Sequence, residues 1–566
     1  MSCDLTTECP MRVMASLLFL SLSSAALADT LPSFLNSNET IRNLPVPNLP
    51  ADAYRPAAAP LQVPEPGATA AQPLMMSTKV NLKTVQIEGG TIYPLNELAD
   101  QYKPLIGHQT SLAELIEATR NITRRYQQDG YLLSYAFLPQ QNFEDGVARV
   151  VLVEGYVRDV QMQGDVGRVK GLLDELAAKI QAERPLTRKT FERYTTLMTR
   201  IPGVTIQAQV PPPGTTDGAT TLVAQASRKP FTSTLSTTED NRNGTQALLG
   251  VSSNSQTSMG EQVTLSGLFP PGDDHEHYYR LDYNQFLDAE GTQLALSASR
   301  YRADPGTNVL LDNGLQLKPH RENDRYSIGF TLPLIAASNE LLTAGSRLYA
   351  VNDKTRYNVI GLPLSVEERT DIRALAFESD WRKADTRQLR ILSGGVYQGL
   401  DSMGAKSNNN AIDLDFFRVR LSGVQSDKFL DNWQGVLSAA LYWSDDTLPD
   451  SERAVFGGQN FGRGYPDDQA SGDKGWGVAY EVNYSFNRDG NWVRILQPYV
   501  VLDRSRSWFN ELPVQANNLS SAAVGLRFGD AKYYNIALEA AKAMSDEALD
   551  TFNRRARYSI SFSYQL

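Results

Sequence analysis

From about Lys229 to Leu566 the chain is a succession of roughly ten-residue segments in which apolar and polar residues alternate, with polar turns between them and no helical period competing. Tyr326, Ile328, Phe330, Leu332 and Leu334 alternate with Ser327, Gly329, Thr331 and Pro333. Tyr279, Leu281 and Tyr283 alternate with Arg280, Asp282 and Asn284, and Leu294, Leu296 and Ala298 with Ala295, Ser297 and Ser299. A period of two sends alternate side chains to opposite faces of a strand. One apolar and one polar face, repeated over more than half the chain, is the pattern of a transmembrane antiparallel β-barrel. The segments number about sixteen. All six tryptophans (Trp381, Trp433, Trp443, Trp476, Trp492, Trp508) fall here, mostly at strand ends, as aromatic girdles do. Short connections at 336–339 and 488–490 alternate with longer ones around 303–323, 353–366, 400–410 and 444–475. The last residues, Tyr558 to Leu566, alternate aromatic and polar up to an apolar end, as a closing barrel strand does.

The N-terminal end is of another kind. Arg12, the apolar run Val13 to Leu22 and the small-x-small site Ala26-Leu27-Ala28 read as a secretory signal peptide over residues 1–28. Both cysteines, Cys3 and Cys9, lie inside it, so no disulfide is expected in the exported chain. Residues 29–78 hold a short stretch (Phe34, Leu35, Ile41, Leu44) that reads as a short amphipathic helix, then a Pro- and Ala-rich linker, either a spacer or a plain tether. A net charge of -10 and a pI near 5.2 argue against nucleic acid as a partner.

Between linker and barrel, one order of elements occurs twice. In 79–155 an alternating strand (Leu82 to Glu88) precedes a helical stretch (Leu95 to Tyr102). A helix then opens on the capping box Ser111-Leu112-Ala113-Glu114 and ends at Gly130, with Leu115, Ile116, Ile122 and Tyr126 on one side. Strands Tyr131 to Leu138 and Val147 to Val153 follow. In 156–228 the order is strand (Val157 to Met162), helix (Val169 to Gln181), helix capped by Thr187, and strands Val204 to Val210 and Thr220 to Ala226. Two small α+β modules are expected, their sheet edges either open to an added strand or covered by neighbours.

The loop 444–475 is too rich in glycine and charge for strand or helix interior. Loops of that length are usually functional or disordered. Spacing alone allows two readings: a loop folded back into the barrel, or a long surface loop. Its centre runs Phe456-Gly457-Gly458 and then Gly462-Arg463-Gly464-Tyr465.

Signal peptide, Pro-rich linker, two modules and a barrel of about sixteen strands together resemble the two-partner secretion transporters, the hemolysin and filamentous-hemagglutinin exporters of Gram-negative bacteria. They share a superfamily with the outer-membrane barrel insertases. Gly130-Tyr131-Leu132-Leu133, Leu138-Pro139-Gln140 and Glu154-Gly155 resemble a first POTRA domain; Glu192-Arg193 and Ile201-Pro202-Gly203-Val204 resemble a second. The loop resembles the family's in-folding loop with its Val-Arg-Gly-Tyr/Phe tip. Phe456, Gly457 and Gly458 would support it, and Gly462, Gly464 and Tyr465 would form the tip. Gly462 stands where the family has Val, implying a looser tip.

The resemblance further implies that Arg463 pairs with an Asp on an inward-facing strand. The matching segment is Gln497 to Arg506, where alternation puts Tyr499, Val501 and Asp503 on one face and Val500 and Leu502 on the lipid face. Arg463 and Asp503 are thus the expected loop-to-barrel lock, against the alternative of two separate lumen charges; Ser505 in place of the family's Gly leaves the partner residue open. The implied location is the outer membrane, with the POTRA domains in the periplasm. The implied partners are outer-membrane lipid and a large secreted exoprotein (adhesin, cytolysin or contact-dependent toxin) bound through those domains, with no nucleotide.

The chain contains no phosphate-binding loop, no His-Glu-x-x-His and no Gly-x-Ser-x-Gly. Asp273-Asp274-His275-Glu276-His277 reads as a solvated external loop rather than a metal site. No catalytic residue, metal or cofactor is expected. The resemblance implies secretion of a partner exoprotein; an insertase is the alternative, and a passive porin or an enzyme fits less well.

Overall fold

The computed structural model describes residue 76 and residues 78–565, apart from 144, 241–243, 270–275, 305–308, 311–315, 459–460, 468, 488–489, 491, 512–516 and 531–532. The signal peptide, most of the 29–78 segment, the turn at 488–489, Asp273 to His275 and Leu566 lie outside the described residues.

The two modules share one topology. In the first, the strand Thr84–Glu88 runs parallel to Val147–Val153, which pairs antiparallel with Tyr135–Phe137. In the second, Tyr156–Gln163 runs parallel to Ala219–Arg228, which pairs antiparallel with Val204–Gln209. The capping box forms as the sequence predicts: Ser111 Oγ accepts from Glu114 N, and the Glu114 carboxylate accepts from Ser111 N. It opens the helix Leu112–Gln128, whose Leu115, Ile122 and Tyr126 are buried. Thr187 caps Arg188–Thr199 by its side chain alone, Oγ1 accepting from Thr190 N.

The motif residues of the first module meet one another. A Cβ on Gly155 would lie 2.5 Å from both Leu133 Cβ and Leu133 O, so the close approach there requires glycine. The neighbouring Glu154 carboxylate accepts from Thr91 N (2.7 Å), Thr91 Oγ1 (2.7 Å), Ile92 N (3.0 Å) and Tyr126 Oη (2.8 Å). One difference from expectation is local. Only Tyr135–Phe137 of the stretch 131–138 is strand, because Tyr131 to Ser134 turn back on the end of the preceding helix.

The barrel closes. Its ring holds nineteen strand segments, three of which are two-residue stubs (Val309–Leu310, Lys406–Ser407, Phe486–Asn487), leaving sixteen antiparallel strands. The last strand, Arg557–Gln565, pairs with the first, Phe231–Asp240. Tyr326, Ile328, Phe330, Leu332 and Leu334 point outward and are exposed, as lipid-facing residues must be. Trp433 packs on Tyr484 at the module-facing end of the barrel (ring centroids 5.0 Å), and Trp443 and Trp508 close strands at the other end.

Three strands run further than the sequence pattern suggests: Gln316–Ala336, Glu340–Val359 and Ser365–Ala384. The external stretches 316–323 and 353–366, read as loops, are therefore mostly β-ribbon. Cross-strand charge pairs hold it, with Lys354 and Arg356 both on Glu367. Both faces of that ribbon are polar, which removed the alternation that marks a strand.

The second module sits on the barrel rim. Arg193 donates to Pro333 O and to Glu290, Tyr194 Oη donates to Glu290, and Lys179 pairs with Glu290. Glu290 belongs to a short turn between the strands His277–Phe286 and Gln293–Ala303, so the short turns mark the module side.

Candidate functional site: the loop inside the barrel

The loop 444–475 joins the strands Trp433–Trp443 and Lys474–Tyr484 at the external end and folds back inside. It contains a hairpin in which Ala454–Phe456 pairs with Ala470–Gly472. Its rings are packed away: Tyr465 is 0% exposed, Phe456 2% and Phe461 5%. They form one cluster with the inward faces of the wall, including Ala440, Ala479, Tyr499, Val501, Ala523 and Ala541. The wall makes room by using small residues. A Cβ on Gly475 would meet Phe456 at 2.6 Å, and one on Gly477 would meet Phe461 at 2.7 Å.

Asp503 faces the lumen, with Tyr499 and Val501 beside it and Val500 and Leu502 exposed outward. Its carboxylate does not take the Arg463 guanidinium. It accepts from the tip backbone, Gly462 N at 2.7 Å and Arg463 N at 3.4 Å, and from Ser521 Oγ at 2.5 Å. The guanidinium instead pairs with Glu539 on the strand Tyr534–Ala543. The same carboxylate oxygen accepts from Tyr499 Oη at 2.8 Å. The Tyr499 ring lies 3.9 Å under the guanidinium carbon of Arg527, which forks onto Glu481 at 2.5 and 2.8 Å. The expected side-chain pair between Arg463 and Asp503 is thus replaced by two ties, a carboxylate on backbone N–H groups and a salt bridge one strand pair further on. The physical reason is reach: Asp503 already holds the N–H at the base of the arginine, so the long side chain extends past it.

The glycines explain the seat. Gly462 sits at φ +105, and its N–H is bound to Asp503, so the tip expected to be looser is pinned through the residue that departs from the family. A β-branched Val is an outlier at such an angle. A Cβ on Gly464 would lie 2.3 Å from Ala543 N and 2.5 Å from Lys542 C, so the tip backbone lies flat on the wall. Gly457 (φ +126) and Gly458 (φ +71) turn the chain into the tip. Tyr465 Oη donates to Ser520 O at 3.2 Å and accepts from Ser545 N at 3.2 Å.

A second attachment went unseen in the sequence. Near the root of the loop, the Glu452 carboxylate accepts from Arg418 Nη2 at 2.8 Å and from Tyr349 Oη at 3.0 Å. Arg418 Nη1 donates to Glu452 O at 2.7 Å, and its guanidinium covers the Tyr397 ring. Tyr349 and Glu539 stand on strands eight steps apart in the ring of sixteen, so the loop is tied to opposite walls. Gln469 adds a third tie, donating to Glu547 O and accepting from Leu549 N. The signal for Glu539 was a lone carboxylate on the inward face Asn535, Ala537, Glu539, Ala541, Ala543; none marked Glu452.

A family model for the POTRA domain, ShlB-type, matches residues 80–155. The chain is similar to the heme/hemopexin transporter protein HuxB of Haemophilus influenzae strain 86-028NP, 21% identical over 479 residues, covering 80% of this chain and 81% of HuxB. The fold is similar to that of CdiB from Escherichia coli (TM-score 0.67, 16% identity, 90% of this chain and 94% of that one). It is similar also to that of CdiB from Acinetobacter baumannii (TM-score 0.61, 14% identity, 90% and 95%). The model for the haemolysin secretion/activation protein ShlB/FhaC/HecB matches residues 234–528, just over half of the chain. The chain therefore belongs to that family of two-partner secretion transporters, with its barrel in the outer membrane and its POTRA domains in the periplasm.

Proposed function

We propose that the chain recognises an unfolded partner exoprotein in the periplasm and passes it through the barrel to the cell surface or medium. The observation that carries this reading is the loop seated across the lumen by non-covalent ties that can open. Each POTRA sheet has three strands, and its outer edges can accept an extended segment of the exoprotein as a further strand. Residues 1–28 serve as the export signal, and residues 29–78 as linker and lumen plug. Arg463, Asp503 and the tip residues Gly462, Gly464 and Tyr465 lock the loop at rest, supported by Phe456, Gly457 and Gly458. The cargo is an adhesin, cytolysin or contact-dependent toxin, and the protein performs no catalysis. Substrate binding favours the state with the tip released.

The test is secretion of a large exoprotein encoded beside this chain, in cells carrying wild type, Arg463→Ala or Asp503→Ala, with barrel folding checked by heat-modifiability. Secretion that needs the wild type and falls in both variants supports the reading. If depletion instead lowers many outer-membrane barrels and no exoprotein depends on the chain, it acts as an insertase.

A further inference from the structure

The two ends of the loop are held differently. At the foot, the Arg418 and Glu452 side chains are 2% and 0% exposed; at the tip, Arg463 and Glu539 are 17% and 10% exposed. The foot carboxylate takes a guanidinium and a phenol, and the same guanidinium takes the foot carbonyl, so one arginine fixes both side chain and backbone. Opening such a pair strands a charge out of reach of water. The tip pair is less deeply buried than the foot pair, so parting it costs less. Leu448 and Asp473 reinforce the foot: Asp473 accepts from Leu448 N and Asn510 N, both at 2.9 Å. Between foot and tip lie Gly457 and Gly458, at backbone angles open to glycine and able to absorb a swing.

We propose that Glu452 and Arg418 are positioning residues for secretion. They keep the foot of the loop on the wall while the tip, 461–467, swings clear, so that the loop opens as a flap instead of leaving the lumen whole. This rests on the exporter reading, but its physical core is testable without an exoprotein.

The experiment uses the full chain in lipid nanodiscs, in a Cys3→Ser, Cys9→Ser background. One nitroxide sits at Ser402→Cys in an exposed external loop, and the other at Asp450→Cys beside the foot or Asp467→Cys beyond the tip. Asp503→Ala with Glu539→Gln releases the tip, and pulsed dipolar spectroscopy reads the distances. The 467–402 distance shifts and broadens on tip release, while the 450–402 distance keeps its peak. Adding Glu452→Ala broadens 450–402 as well; if that variant does not yield a heat-modifiable barrel, Glu452→Gln takes its place. Movement of 450–402 on tip release alone overturns the fixed foot. An unchanged 450–402 distance in the Glu452 variant overturns Glu452 as the anchor. In cells, Glu452→Gln lowers exoprotein secretion severalfold; secretion equal to wild type would show that transport does not use the anchor. Absence of any dependent exoprotein defeats the exporter reading and leaves the distance result standing.

Discussion

Asp503 in the barrel wall and Glu154 in the first POTRA domain hold their neighbours by the same means. Each accepts from two successive backbone N–H groups of a distant segment, Gly462 and Arg463 in one case, Thr91 and Ile92 in the other. Each also accepts from a hydroxyl, Ser521 in the barrel, and both Thr91 and Tyr126 in the module. The surroundings differ. Asp503 is 5% exposed, whereas Glu154 is half-buried. The segment on Asp503 belongs to a loop; the segment on Glu154 is part of its module's own packing, with Ile92 against the core. One motif can thus serve as a latch or as a fixed joint. Burial sets how much its loss costs, and what else holds the segment sets whether it can open.

The largest effect is expected at Asp503. Asp503→Ala orphans the buried Gly462 N–H and removes the weaker bond to the part-buried Arg463 N–H, together about 3 kcal/mol. The ratio of seated to released tip should fall roughly a hundredfold for ~3 kcal/mol. Planar-bilayer recording should show a higher resting conductance, and Asp503→Asn, which still accepts, a smaller rise. An Asp503→Ala pore as quiet as wild type would show that Asp503 does not hold the tip.

A double-mutant cycle sharpens it further. Arg463→Ala and Glu539→Gln remove two halves of one salt bridge, so their effects on resting conductance should be strongly non-additive, with a coupling of about 1–3 kcal/mol. Arg463→Ala and Asp503→Ala should couple less, because Asp503 holds the backbone N–H that alanine keeps. Exchanging the charges of residues 463 and 539 should recover part of the function, and exchanging 463 and 503 should not. The opposite pattern would restore Asp503 as the side-chain partner.

A third, smaller contrast lies between two tip glycines. At Gly464 a methyl group would press into the backbone of Ala543, 2.3 Å from its nitrogen, and the tip cannot stay seated. At Gly462 the nearest contacts are 3.1 Å, to Gly457 Cα and Leu519 Cδ1, and the left-handed backbone adds about 1–2 kcal/mol. Gly464→Ala should therefore open the resting pore more than Gly462→Ala.

These residues also mark how far the sequence could be read. Period-two alternation exposed the barrel and put Asp503 on the inner face, because lipid on one side and lumen on the other impose opposite chemistry. The paired modules were legible from the capping box at Ser111 and the Thr187 cap, which are local. The lock was only half legible. That Arg463 would reach Glu539, 76 residues on, and leave its own N–H to Asp503, depends on where the glycine tip lies on the wall, which no local pattern encodes. The foot latch between Glu452 and Arg418, 34 residues apart, was hidden for the same reason. The external ribbon was missed because solvent on both faces erases the alternation.

The smallest effect is expected at Glu154, and it is pH-dependent. Burial pushes its carboxyl upward, but the bonds from Thr91, Ile92 and Tyr126 outweigh that and hold it below the ordinary range. A carboxylate whose folded value is depressed contributes stability that is fully present above its unfolded value and is lost as pH falls through the folded one. The first POTRA domain should therefore hold its stability at neutral pH and lose this part below about pH 4. Glu154→Gln, which cannot ionise, should flatten that dependence and be mildly destabilised at pH 7. The readout is protease sensitivity of the periplasmic part of the intact protein across pH, with the barrel as internal reference. Because water reaches Glu154, its donors are never fully orphaned, and the loss should be well below that at Asp503. A Glu154→Gln protein as damaged as Asp503→Ala would mean that burial does not separate joint from latch.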